Sequence, residues 1–136
     1  MKICLILNKL YKDEKIFVPL AYLAFFSRSH EVSLILIDEA VNLARKNLFI
    51  ELKEDIKQAI QTQTGLDLTN TRNHIEFLEM LKRKFKIKVK VCNTSTIATS
   101  LSKRIGDSEM LNKIFDLATL FEISSLISEA DLILYF

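Results

Sequence analysis

The uninterrupted apolar run Ile3-Cys4-Leu5-Ile6-Leu7 constrains the fold more than any other feature of this chain. It does not alternate with polar residues, so a strand formed there has to be covered on both faces, which is the condition of a parallel sheet packed between helices. The spacing predicts a strand over Lys2 to Asn8. A helix is expected over Asp13 to Ser29, where Ile16, Phe17, Leu20, Leu23, Ala24 and Phe26 recur at helical intervals. Pro19 is tolerated only near a helix start, so the regular helix should begin shortly before it.

The same pattern repeats downstream. Glu31 to Ile37 reads as a second strand, rich in branched residues, and Asp38 to Ala44 as a short helix. The stretch from Leu48 to Arg83 reads as mostly helical: one helix carries Glu54, Ile56, Lys57 and Ile60, and a second covers Asn73 to Phe85. Gln61 to Thr71 between them reads as a polar surface loop. Lys86 to Cys92 is a third strand whose alternation of Lys86, Lys88 and Lys90 with Ile87, Val89 and Val91 turns one face to water. A helix over Thr94 to Ile105, a strand over Lys113 to Ala118, a helix over Phe121 to Glu129 and a strand over Asp131 to Phe136 complete the chain. Strands alternating with helices predict a single α/β domain over 1–136, a three-layer α/β/α sandwich around a mostly parallel five-stranded sheet.

Composition removes several function classes. Gly65 and Gly106 are the only glycines, which excludes a glycine-rich dinucleotide turn and a phosphate-binding P-loop. His30 and His74 have no ligand spacing with the two cysteines, so neither a metal nor a cofactor is expected, and both histidines read as ordinary surface or turn residues. Nineteen basic against seventeen acidic residues is a mixed surface, and nucleic acid is not the expected partner. The basic stretch Lys82 to Lys90 reads as a solvated helix end followed by a half-exposed strand, with electrostatic binding of nucleic acid as the alternative. Two cysteines are too few for a disulfide framework, and no signal peptide or membrane-length apolar stretch is evident, so a soluble, cytoplasmic protein is expected.

Chemistry concentrates at Cys92, where the third strand runs into a helix in Val89-Lys90-Val91-Cys92-Asn93-Thr94-Ser95-Thr96. Ligands of open parallel sheets bind beyond the carboxyl ends of the strands, and that is where this thiol falls. Asn93 to Ser95 can cap the helix, and backbone N–H groups at a helix start favour thiolate, the nucleophilic form, over thiol. The rim should also hold Asn8 and Lys9, Asp38 and Glu39, Asn93, Thr94 and Thr119. Of these, Asn8, Asp38, Asn93 and Thr94 form the candidate substrate or anion pocket. A buried small hydrophobe remains the alternative reading of Cys92, as helix capping does for Asn93 and Thr94 and the helix dipole for Asp38. Cys4, inside the first strand, should be inert core. The apolar helix face around Phe17, Leu20, Tyr22, Phe25 and Phe26 is wider than a one-sided helix needs, which points to burial against another subunit or inside the core.

The order of these segments resembles the DsrE/DsrF-like (DsrE/TusD-related) family of small sulfur-relay proteins. The amino-terminal KICLILNKLYKDEKIFVPLAYLAFFSRSHEVSLILIDEAVNLARK is similar to the family's opening strand, helix, strand and Ala-Val-containing turn. The carboxyl-terminal ATLFEISSLISEADLILYF is similar to its closing helix, Ala-Asp pair and final strand, and VKVCNTSTIATSL to its cysteine-bearing junction. The resemblance places Cys92 at the position of the sulfur-carrying cysteine. It implies a protein that accepts a persulfide sulfur from a donor protein and hands it to an acceptor protein, assembled as a homo-oligomer (trimer or hexamer) or with related subunits. One departure is plain: the Arg-Gly step expected soon after the cysteine is replaced by Ile97 to Leu101 before Lys103-Arg104. Some members of the family lack the cysteine altogether, so a non-catalytic oligomerisation or ligand-binding subunit with an incidental thiol is the alternative.

Overall fold

The computed structural model describes every residue, Met1–Phe136. Five strands, β1 (Lys2–Leu7), β2 (Glu31–Leu36), β3 (Ile87–Cys92), β4 (Asp116–Ala118) and β5 (Leu132–Tyr135), form one sheet in the order β4-β3-β2-β1-β5. Every neighbouring pair is parallel. Five helices connect them: α1 (Phe17–Ser27), α2 (Glu54–Thr64), α3 (His74–Lys84), α4 (Asn93–Ala98) and α5 (Leu120–Glu129). The arrangement is the three-layer α/β/α sandwich that the apolar runs predict, and no helix is long and apolar enough to cross a membrane.

Strand alternation divides the apolar side chains between two cores. Ile3, Leu5 and Leu7 of β1, Val32, Leu34 and Leu36 of β2, and Ile87, Val89 and Val91 of β3 join the larger cluster with residues of α1, α2 and α3. Within it, Phe17 of α1 meets Phe77 of α3 edge-on at 5.9 Å. Each such buried ring or branched chain contributes about 1.5–3 kcal/mol, so this side holds most of the stabilising burial. The opposite face carries Cys4, Ile6, Ile35 and Cys92, which pack with Ala118 and with Ile123 of α5 in a cluster of six buried residues.

Local chemistry sets the element ends. Asp13 caps a 3-10 turn at Glu14–Ile16, and α1 follows with Pro19 in its first turn, where a missing N–H costs nothing. The predicted helix over Thr94 to Ile105 ends at Ala98 instead. Thr99 donates its hydroxyl to the Ser95 carbonyl, and Ser100 turns into the left-handed region at φ 64°, so side-chain competition stops the helix early. The strand predicted over Lys113 to Ala118 shrinks to Asp116–Ala118, because the Asn112 side chain makes a turn with the Ile114 N–H and Phe115 is buried in the larger core.

The 61–71 stretch is not the polar surface loop expected. Helix α2 continues to Thr64 and closes on Gly65 at φ 72°, after which Leu66 and Leu68 plug into the core. The basic stretch is split by the fold. Lys82, Arg83 and Lys84 end α3 on one side of the sheet, while Lys88 and Lys90 project from β3 on the face that carries Cys92. Lys82 donates to the Ile114 carbonyl and Lys90 lies 4.0 Å from Asp116.

Candidate functional site

The carboxyl edge of the sheet is one row of residues. Leu7 pairs with Leu36 and Leu36 with Val91, so one step further Asn8, Ile37 and Cys92 stand side by side, and Cys92 pairs with Ala118. The Ile37 N–H donates to the Leu7 carbonyl and the Asn8 N–H to that of Phe136, which extends the ladder into the row. With strands about 4.8 Å apart, Asn8 and Cys92 lie roughly 10 Å from each other across Ile37.

Cys92 ends β3 and is itself the N-cap of α4 in extended conformation, with no side chain capping that helix end. Asn93 and Ser95 are therefore inside the helix rather than caps, a correction to the sequence-based expectation. Cys92 is 5 % exposed and lies in the smaller core together with Ile35, Ala118 and Ile123. The start of α5 above it is fixed by a capping box: Thr119 accepts from the Glu122 N–H at 3.2 Å, and Glu122 accepts from the Thr119 N–H at 3.3 Å.

The candidate pocket residues have distinct environments. Asn93 is 2 % exposed, and its carboxamide is occupied: Oδ1 accepts from the Gly106 N–H at 2.7 Å and Nδ2 donates to Thr96 Oγ1 at 3.0 Å. It ties the 99–115 loop to the residue after Cys92. Thr94 is exposed beside it, with no side-chain hydrogen bond. Asp38 begins the 3-10 segment Asp38–Ala44 with φ 51°, its carboxylate exposed and its N–H donating to Ser95 Oγ at 2.9 Å. Asn8 Oδ1 is buried with no partner. An orphan acceptor seeks a donor rather than an anion, so in this orientation Asn8 suits a ligand N–H, O–H or S–H.

The structure thus brings Cys92, Asn93, Thr94 and Asp38 to one stretch of rim and leaves Asn8 across Ile37 from the thiol. It adds Ser95, the strut between α4 and the Asp38–Ala44 segment. The only hint of this in the sequence is a hydroxyl one helical turn into α4. Gly106, separated from Cys92 by the early end of α4, returns through Asn93 to the junction, bringing the segment Lys103-Arg104-Ile105-Gly106 back toward the rim. No cluster of three or more His, Cys, Asp or Glu side chains is placed to hold a metal ion.

The other cysteine and one histidine complete the chemistry-bearing groups of the interior. Cys4 is 2 % exposed and donates to the Leu126 carbonyl at 3.4 Å. Burial pushes its thiol pKa up, and Lys88 on the same sheet face opposes this only in part. His74, expected at the surface, is fully buried, because its partners are backbone groups remote in the chain, the N–H of Ile50 and the carbonyl of Leu43.

Comparison with known proteins agrees with this architecture. The crystal structure of the YchN protein from E. coli superposes with a TM-score of 0.66 at 21 % identity, covering 100 % of this chain and 99 % of that one. At that identity the likeness concerns the fold. No curated protein sequence matches. The model of the DsrE/DsrF-like family matches residues 1–136 from end to end, and the chain therefore belongs to the DsrE/DsrF-like family.

Proposed function

We propose that this protein is a sulfur-relay protein in which Cys92 carries the sulfur. The observation that supports this most is the place of Cys92: the thiol ends a central strand at the carboxyl edge of an open parallel sheet and starts a helix, in a family associated with sulfur relay. In the reaction the Cys92 thiolate attacks the outer sulfur of a donor persulfide, forming a Cys92 persulfide and releasing the donor thiol. An acceptor thiolate then attacks that outer sulfur and frees Cys92. One S–S bond forms as another breaks at each step, so no outside oxidant, reductant or cofactor enters. Thr94 and Asp38 are the exposed polar groups beside the thiol, while Asn93 holds the junction in place.

The burial of Cys92 sets a condition on this chemistry. The small core it shares with Ala118 and Ile123 has to open before a donor persulfide reaches Sγ, and local opening at the start of α5, which a docking protein partner would favour, is the means we assign to it. A persulfide donor and an acceptor protein are the implied partners, in the cytoplasm, with copies of this chain or related subunits forming an oligomer. The same burial favours a second reading, a non-catalytic subunit whose thiol packs the smaller core. Incubation with a persulfide donor followed by intact-mass measurement separates the two. The relay reading expects one added sulfur atom that Cys92→Ser abolishes. No adduct, or an adduct that survives Cys92→Ser, leaves the structural reading. With a small thiol reagent on the native protein, the relay reading further expects faster labelling at Cys92 than at Cys4.

A further inference from the structure

One fastening of the crossover from β2 to α3 is a buried imidazole; the crossover is also held to the loop before β4, where the Lys46 N–H donates to the Met110 carbonyl at 3.0 Å and the Asn112 N–H to the Ala44 carbonyl at 2.8 Å. His74 opens α3, and its ring is placed between two backbone groups of the crossover: the Ile50 N–H donates to Nδ1 at 3.0 Å, and Nε2 lies 3.1 Å from the Leu43 carbonyl. The His74 N–H also donates to the Ile50 carbonyl at 3.0 Å. These partners settle the tautomer. A backbone N–H can only donate, so Nδ1 presents its lone pair, and a carbonyl can only accept, so Nε2 bears the proton. The neutral ring is fully satisfied, and a second proton at Nδ1 would face the Ile50 N–H with no acceptor.

No charged group compensates such a proton. The small cavity that His74 lines is otherwise apolar, walled by Leu7 from β1, Leu34 and Leu36 from β2, Leu20 from α1, Leu78 from α3 and Phe115 from the loop before β4. The charged neighbours in sequence face away: Arg72 and Glu76 pair with each other at the surface at 2.8 Å, and Glu51, bridged to Asn73, is exposed. Leu43 belongs to the Asp38–Ala44 segment, whose first N–H is held by Ser95 of α4, three residues after Cys92. The fastened crossover and the rim are therefore one continuous piece of structure.

We propose that His74 is an acid-sensitive latch: protonation of its ring releases the Leu43–Ile50 crossover from α3 and, through Asp38 and Ser95, loosens the rim beside Cys92. The latch stands whether or not Cys92 carries sulfur. The direction of titration agrees with the geometry, since burial holds the His74 pKa below that of a free histidine and the bond to the Leu43 carbonyl opposes this only in part. A folded-state value below the unlatched one means that the latched state is fully stabilised above the free histidine pKa of about 6.5. That stabilisation is lost as pH falls from there through the depressed folded value, at up to about tenfold in the latch equilibrium per pH unit for a single proton.

Amide hydrogen exchange and imidazole nitrogen NMR on the full chain, between about pH 7.5 and about pH 5 across the histidine range, test the proposal. Protection corrected for the intrinsic rate should fall at the Ile50 amide, by up to about tenfold per pH unit. It should fall in parallel at Asp38, while the ring passes from the Nε2–H tautomer to the cation below the free-histidine value of about 6.5. In His74→Gln, whose amide can donate and accept but does not titrate, protection at both amides should be flat. Loss of protection that persists in His74→Gln overturns the latch, as does a His74 ring that titrates while Ile50 protection stays constant. Loss at Ile50 without loss at Asp38 overturns the coupling to the rim. If His74→Gln does not fold, the wild-type ring titration still decides, because the latch requires ring protonation and Ile50 opening to share one pH window.

Discussion

Asn93 shows how a residue chosen for chemistry can turn out to be held by structure. A helix-start asparagine next to a cysteine suits either an anion contact or a cap, yet its two amide atoms are given to Gly106 and Thr96. The Gly106 partner is thirteen residues away, beyond the reach of any short motif. Asn93→Ala removes both bonds from a buried site, and it should cost about 1–3 kcal/mol. Urea unfolding would register that cost, and limited proteolysis should show new cuts within the 99–115 loop. An asparagine that served only to bind sulfur anions would instead weaken transfer and leave unfolding unchanged. Cys4 supplies the complementary case, because its thiol is buried, bonded to a helix carbonyl and raised in pKa by its surroundings. It should resist alkylation until the protein unfolds.

Among the elements, α5 bears most directly on the thiol. Its capping box positions the first turn, and Ile123 in that turn belongs to the same small core as Cys92. Thr119→Ala removes the acceptor for the Glu122 N–H and should cost about 0.5–2 kcal/mol. The loss falls on the end of α5 above Cys92, while Cys4 lies under Leu126 further along the helix. Labelling should therefore accelerate at Cys92 more than at Cys4, and equal acceleration would show that the capping box does not gate the thiol. The elements themselves were legible to different degrees. Strands β1 and β2 follow from uninterrupted apolar runs and helix α1 from apolar residues at helical spacing, patterns that burial enforces over many residues at once. The early end of α4 was not legible, because Ser95, Thr96, Thr99 and Ser100 suit a helix or a turn, and the back-bonds that choose the turn are set only after folding. The role of His74 was hidden for a similar reason: its partners are main-chain groups, which every sequence possesses. At the site, the position of Cys92 on the rim was readable from strand and helix boundaries, but its cover was not, since Ile123 reaches it only through the crossover of α5.

On the scale of the whole molecule, α1 is unfinished as the surface of a lone subunit. Its eleven residues include no charged side chain, and its outward stripe of Val18, Tyr22 and Phe25 is about half exposed along a groove completed by Ile56, Ala59 and Ile60 of α2. A helix apolar on all sides is normally buried on all sides, and nothing within this chain covers that stripe. The only other exposed apolar groups of comparable size on a helix face, Leu120 and Phe121, lie on α5 across the sheet, so substitutions can separate the two surfaces. Assembly through α1 predicts that the wild type sediments as an oligomer, and that Phe25→Lys, alone or with Val18→Lys, shifts it toward monomer. The fold should survive, because neither side chain belongs to the larger core. Phe121→Lys should leave the assembly intact. A monomeric wild type, or an oligomer dissolved by Phe121→Lys and indifferent to Phe25→Lys, would remove α1 as the interface. The second of those results would place subunit contacts beside the helix end that covers Cys92, where association itself would control access to the thiol.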